Sequence, residues 1–142
     1  MPTITVDDDF TIETDETYAG QGEVFDLVSA NNTSDSLFVN YGTIEATGDA
    51  EYGYFATAIH SNSYYGDVEN RGVITVHLTM RGTGVVFDQP VGRFTNYGSI
   101  SVSADWAYGF TANYPSAELD NRGEIRAEGV NAVGVLFDYG RS

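Results

Sequence analysis

A unit of about 25 residues recurs along this chain, and no other feature narrows its fold as sharply. In each copy an apolar residue is followed, at steps of two, by Asn, Gly and Ile. The four sets are Phe38, Asn40, Gly42, Ile44; Val68, Asn70, Gly72, Ile74; Phe94, Asn96, Gly98, Ile100; and Leu119, Asn121, Gly123, Ile125. The Asn residues stand 30, 26 and 25 positions apart. A second block opens on Gly after each: Gly53 to Ala56, Gly84 to Phe87, Gly109 to Ala112 and Gly134 to Phe137. Its Gly lies 11, 12, 11 and 11 residues beyond the Gly of Asn-x-Gly. Two motifs holding register over several copies describe a chain of stacked, similar units.

Within a copy the apolar residues alternate. Phe94, Ile100 and Val102 fall on one side, Ser99, Ser101 and Ser103 on the other, which is the period of a strand. Asn-x-Gly interrupts it, and the expected reason is that Gly accepts positive φ and Asn the left-handed region. An antiparallel meander would alternate two kinds of strand and place hairpin turn pairs between them. Here identical residues return once per period, so equivalent strands stack in parallel, Ile on Ile and Asn on Asn. The expected fold is all-β: a single-chain parallel β-helix, or β-solenoid, of about five coils, right-handed by the general crossover preference, in a rod about 24 Å long.

Residues 1–35 read as a degenerate N-terminal capping coil with an acidic start, and residues 36–142 as four repeats of one continuous domain. In the first coil Phe10 to Thr14 take the place of the Ile strand, with Ile12 in the Ile column. Gly22 to Phe25 take the place of the Gly block, with Glu23 where other copies are apolar. The expected core columns are Phe38, Val68, Phe94, Leu119; the Ile column; Ala46, Val76, Val102, Ala127; Tyr54, Val85, Phe110, Val135; and Phe25, Ala56, Phe87, Ala112, Phe137. Two connections, Leu27–Leu37 and Thr57–Asp67, are longer than the others. Insertions in a solenoid gather on one face, so His60, Tyr64 and Tyr65, with Asn31, Asn32 and Asp35, form a candidate recognition surface.

Charge excludes some partners. The chain has 21 carboxylates and 6 Arg, and 14 of the carboxylates lie in residues 1–70, where there is no Arg. Such a surface repels nucleic acid and anionic membrane, and no apolar run is long enough to insert in a bilayer. The acidic start, Asp7, Asp8, Asp9, Asp15 and Glu16, is a candidate Ca²⁺ site, although neither an EF-hand loop nor a calcium nonapeptide is present. The alternative expectation is no cofactor at all. Without Cys there is no disulfide framework or thiolate metal site. Neither His60 nor His77 has a nucleophile at motif spacing, so the chain does not read as an enzyme. If it cleaved polysaccharide, Glu45, Asp88, Asp138 and Arg126 would be the residues that stacking brings together.

The Asn-x-Gly-x-Ile units, with an apolar residue two before the Asn, resemble the β-solenoid repeats of bacterial autotransporter passengers, filamentous-haemagglutinin-like adhesins and type I-secreted repeat adhesins. Residues 1–10 do not read as a secretory signal, which suits the type I group best; the missing calcium nonapeptides depart from it. The resemblance implies an extracellular or cell-surface structural or adhesive module. The open ends of a solenoid, and the unlike charge of its two halves, add an expectation of end-to-end self-association into filaments. A glycan-binding or glycan-cleaving β-helix is the alternative, with Trp106 and Tyr114 as further aromatic candidates.

Overall fold

The computed structural model describes residues 3–28, 36–48, 55–62, 64, 66–88, 92–113 and 117–137. Every element among them is a strand. In chain order these are β1 (Ile4–Val6), β2 (Phe10–Ile12), β3 (Thr17–Gln21), β4 (Glu23–Leu27), β5 (Leu37–Asn40), β6 (Thr43–Thr47), β7 (Phe55–Asn62), β8 (Asp67–Asn70), β9 (Val73–Asp88), β10 (Arg93–Asn96), β11 (Ser99–Ala112), β12 (Glu118–Asn121), β13 (Glu124–Glu128) and β14 (Asn131–Phe137). All pairings are parallel. The short strands stack as a five-stranded sheet in the order β12-β10-β8-β5-β2, and the remaining strands form a nine-stranded sheet. Five stacked rungs correspond to about four full turns of a β-solenoid, one fewer than the count of sequence copies implies.

Each turn has the same plan. From the second coil on, a short strand ends at Asn and the chain turns at x-Gly; one long strand follows in β9 and β11, and two shorter strands cover the same course in the other coils. This course bends twice. The first bend is marked by Gly22 (φ 72°), Leu78 (φ 55°) and Gly129 (φ 157°) in the first, third and fifth coils. Leu78 is an extra residue: Val76 pairs with Val102, but Thr79 already pairs with Ala104. This bulge is the physical source of the one 12-residue spacing among the repeats. At the second bend two consecutive residues are both buried: Val24 and Phe25, Ala58 and Ile59, Gly84 and Val85, Gly109 and Phe110. Strand alternation breaks there and the chain turns inward around a corner.

The interior consists of columns. Phe10, Phe38, Val68, Phe94 and Leu119 stack in one. Beside it Asn40, Asn70 and Asn96, all fully buried, pass their side-chain amides along the axis. Asn40 Nδ2 donates to Asn70 Oδ1 at 2.8 Å, Asn70 to Asn96 at 2.9 Å and Asn96 to Asn121 at 2.9 Å. Asn40 Oδ1 also accepts from the Gly42 N–H, and backbone carbonyls of the next coil accept the second amide hydrogens. A buried amide is tolerated because its donors and acceptor find these partners.

The glycines of Asn-x-Gly are required for a different reason than the sequence suggests. None of the four has a positive φ. A Cβ on Gly72 would overlap the Gly42 carbonyl oxygen, and one on Gly98 or Gly123 would overlap the glycine carbonyl of the coil before. Glycine serves close backbone approach between coils.

Two registers differ from expectation. Ile12 pairs with Asn40, so it caps the Asn ladder; Tyr18 is the residue that stacks on Ile44, Ile74, Ile100 and Ile125. The second block of the next coil is displaced as well. Ile59 rather than Tyr54 aligns with Val85, and Ser61 rather than Ala56 aligns with Phe87, while Ala56 faces Gly82. Phe25 joins Ile59 and Val85 in one column, and Leu27 lies in the column of Ser61 and Phe87. The place of Gly84 is held in this coil by Ala58, so a glycine is not the marker of the corner and Gly53 is not its equivalent. Gly53 and Tyr54 lie outside the described residues.

Three stability outcomes follow from these columns. Asn70→Ala removes partners from both ladder neighbours and is expected to lower unfolding free energy by about 3 kcal/mol, while Asn121→Ala, at the exposed end, costs under about 1 kcal/mol; chemical denaturation measures both. Gly98→Ala forces two coils apart and is expected to lower the thermal midpoint more than an alanine at exposed Val130. The Ser61 hydroxyl is buried with no hydrogen-bond partner among the described residues, so Ser61→Ala is expected to raise stability by about 1 kcal/mol.

Candidate functional site

Stacking brings one group of chemically active side chains together on the outer face beside the second bend. Asp26 pairs in register with His60, and Asn62 with Asp88, so β4, β7 and β9 each contribute. His60 Nδ1 lies 2.7 Å from Glu23 Oε2 and 4.0 Å from Asp26 Oδ1, and Nε2 lies 2.6 Å from Asp88 Oδ2. Asn113 Nδ2, one coil further on, donates to Asp88 Oδ1. Glu23 falls outside the core because alternation breaks at Val24 and Phe25; it lies alongside Thr57.

The electrostatics follow from this packing. The hydrogen bond that His60 donates to Glu23, supported by the one to Asp88, pushes the His60 pKa up to about 9 against the desolvation that would lower it. Asp26 moves the other way from a usual carboxylate. Burial, then the charge of Glu23, raises it, and His60 opposes this. Asp26 Oδ1 is shielded from solvent and has no hydrogen-bond partner among the described residues.

A second pair lies on the first half of the long strands. His77 Nε2 is 2.6 Å from Glu45 Oε2, beside an open depression of about 380 Å³ lined by Ala19, Gly20, Gln21, Thr47 and Leu78. A third feature runs down the Asn-x-Gly corner, where the x residues are Tyr41, Arg71, Tyr97 and Arg122. The Arg71 guanidinium sits 4.1 Å from the Tyr97 ring centroid and that of Arg122 6.0 Å from it. Each Arg also pairs with a neighbouring acid, Glu69 or Asp120. This alternation stabilises the corner by cation–π attraction.

The sequence candidates divide. His60 is on strand β7, not in a loop, because the coil's second block begins five residues later than expected. Tyr64 is fully buried and donates through its hydroxyl to the Asp8 carbonyl at 2.9 Å, so it is a core residue rather than a recognition residue; burial raises its phenol pKa. Tyr65, Asn31, Asn32, Asp35, Tyr114 and Asp138 lie outside the described residues. The acidic start is not gathered. Asp8 Oδ1 accepts from the Asp9 N–H, Asp9 Oδ1 from the Leu37 N–H and Glu16 Oε1 from the Glu13 N–H. Asp7, Asp8, Asp9, Asp15 and Glu16 supply no group of three converging ligands among the described residues, whereas Glu23, Asp26 and His60 do. Glu45 and Asp88 each hold a His, and Arg126 pairs with Glu124, so the residues considered for glycan cleavage serve separate contacts. Glu23 and Asp26 were missed because their proximity to His60 depends on a register that the repeat motif misplaced.

With coils, columns and outer face established, comparison adds the family. A family model described as the BigA third pectate lyase-like domain matches residues 2–140. The chain belongs to this family. Pectate lyase-like describes the β-helix fold, and such domains belong to bacterial surface proteins, so a bacterial surface β-solenoid module is the description this membership supports. No curated protein and no solved structure matches the chain.

The His60 pKa carries a pH dependence. A group whose pKa is raised on folding contributes stability that is complete below its unfolded value, about 6.5, and is lost as pH rises through its folded value. In EDTA-containing buffer the unfolding free energy is therefore expected to fall between about pH 6.5 and pH 9, and His60→Gln to flatten that slope. Proton NMR titration of the imidazole measures the same ionisation directly.

Proposed function

We propose that this domain is an extracellular structural or adhesive module that associates end to end and catalyses no reaction. The observation carrying this reading is the last rung. Among the described residues, strands β12, β13 and β14 have a paired neighbour on one side only. Val135 and Phe137 continue the buried columns of Phe110 and Ala112 yet are exposed at 40% and 41%. An unpaired parallel edge backed by apolar side chains is a template for another strand layer.

The Arg residues do not supply the attraction that the uneven charge suggested. Arg93, Arg122 and Arg126 are already paired with Glu118, Asp120 and Glu124. Edge hydrogen bonds and apolar burial carry the association, and the acidic first coil opposes it. Salt, by screening that repulsion, is expected to strengthen self-association. Sedimentation velocity over a wide concentration range at low and high salt tests this, with Val135→Lys placing a charge on the edge. Wild type is expected to form larger species and the variant to remain monomeric. A monomeric wild type under every condition would reject end-to-end assembly.

A glycan-binding reading is supported by the exposed rings of Tyr41, Tyr97 and Trp106. Binding on a glycan array that is lost in Trp106→Ala, with no reducing ends released, would favour adhesion to carbohydrate. Calcium has no part in this proposal: Asp8 and Glu16 accept backbone hydrogen bonds within their own turns, and Asp9 accepts one from Leu37 in the next coil.

A further inference from the structure

We propose that Glu23, Asp26 and His60 bind a divalent transition-metal ion of the zinc class, with Asp88 as the positioning residue behind the histidine. The ligand atoms of the three residues all lie within 4.8 Å of one another. Donors about 2.1 Å from a tetrahedral ion are separated by about 3.4 Å. His60 Nδ1 stands 2.7 Å from Glu23 Oε2 and 4.0 Å from Asp26 Oδ1, on either side of that value, so small side-chain rotations complete the set.

The shell behind the ligands is already in place. Asp88 Oδ2 accepts from His60 Nε2 at 2.6 Å and is itself held by Asn113. A carboxylate on the far nitrogen fixes the ring's orientation and directs Nδ1 toward an ion, as in carboxylate–histidine–metal arrangements. One atom of the cluster is itself left unsatisfied. Asp26 Oδ1 is shielded from solvent and without a hydrogen-bond partner among the described residues, an acceptor facing the cluster that a cation would satisfy. The ligands stand on adjacent strands of a continuous sheet rather than on loops, which limits their drift. Their side chains are 23–26% exposed, so an ion can enter and keep a water in its fourth position. The nitrogen ligand favours a borderline ion over Ca²⁺ or Mg²⁺, which prefer oxygen alone.

The test uses the whole domain, stripped with EDTA, and Zn²⁺ and Co²⁺ as probes. Isothermal titration should give saturable binding near one ion per chain, and Co²⁺ should develop the visible absorption of a tetrahedral site. Asp26→Asn and His60→Gln are each expected to weaken binding at least tenfold. Asp88→Asn should weaken it about 10- to 100-fold through loss of the outer partner. His77→Gln should leave it unchanged, and excess Ca²⁺ should not displace Co²⁺. Circular dichroism checks that each variant is folded; should His60→Gln fail to fold, Glu23→Gln takes its place with the same expectation. Equal affinity in wild type and the ligand variants, displacement of Co²⁺ by Ca²⁺, or no saturable binding to folded wild type would each overturn the assignment.

Discussion

Register in this domain depends on the hydrogen bond passed from one buried asparagine to the next. A buried amide left without partners costs on the order of 1–3 kcal/mol. Slipping one coil by a residue would leave two such amides unmatched and turn every inward side chain outward. The Asn40–Asn70–Asn96–Asn121 ladder therefore ties each coil to its neighbours. The glycine that follows each Asn lets backbones approach closely, and the Ile beyond it falls into a continuous column. At the start, Ile12 occupies the Asn position and closes the ladder with an apolar cap.

That register also builds the outer face. Once strands are locked, residues far apart in the chain become rung neighbours: Asp26 beside His60, His77 against Glu45, Arg71 over Tyr97. A rigid parallel sheet gives such clusters the geometry that loop residues lack. The two histidines are each engaged by carboxylates, which fits an acidic surface where a cationic or metal-binding group is the scarce partner. The two ends of the stack differ in kind. The first coil is strongly acidic, with Tyr64 anchoring the chain at Asp8, while the last coil pairs its charges internally and leaves apolar columns open.

The repeat made the architecture legible. Period, alternation and the columns of Phe, Asn, Gly and Ile in the later coils follow from like residues at like spacing, because stacking identical side chains is the arrangement that satisfies all of them. The lengths between the motifs were less informative. Leu78 enters as a bulge, so a spacing of 12 means a local kink rather than a different strand. In the first coil the phase was misread, since Phe and Ile at steps of two suit either sheet. Tyr18, not Ile12, completes the Ile column. In the following coil Gly53 resembles Gly84, but Ala58 fills that corner, so glycine there does not mark the register.

By itself the sequence determined the fold class, the coil period and the columns that carry the core, because these depend on side-chain type repeating along the chain. Tertiary structure decided which outward residues meet. Glu23, Asp26, His60 and Asp88 carry no motif. Their contact arises from the rung-to-rung hydrogen-bond register and from a corner at Val24 and Phe25 that places both Glu23 and Asp26 on the outer face. Local pattern cannot specify that contact, because the offset between coils is set by all their stacked neighbours at once.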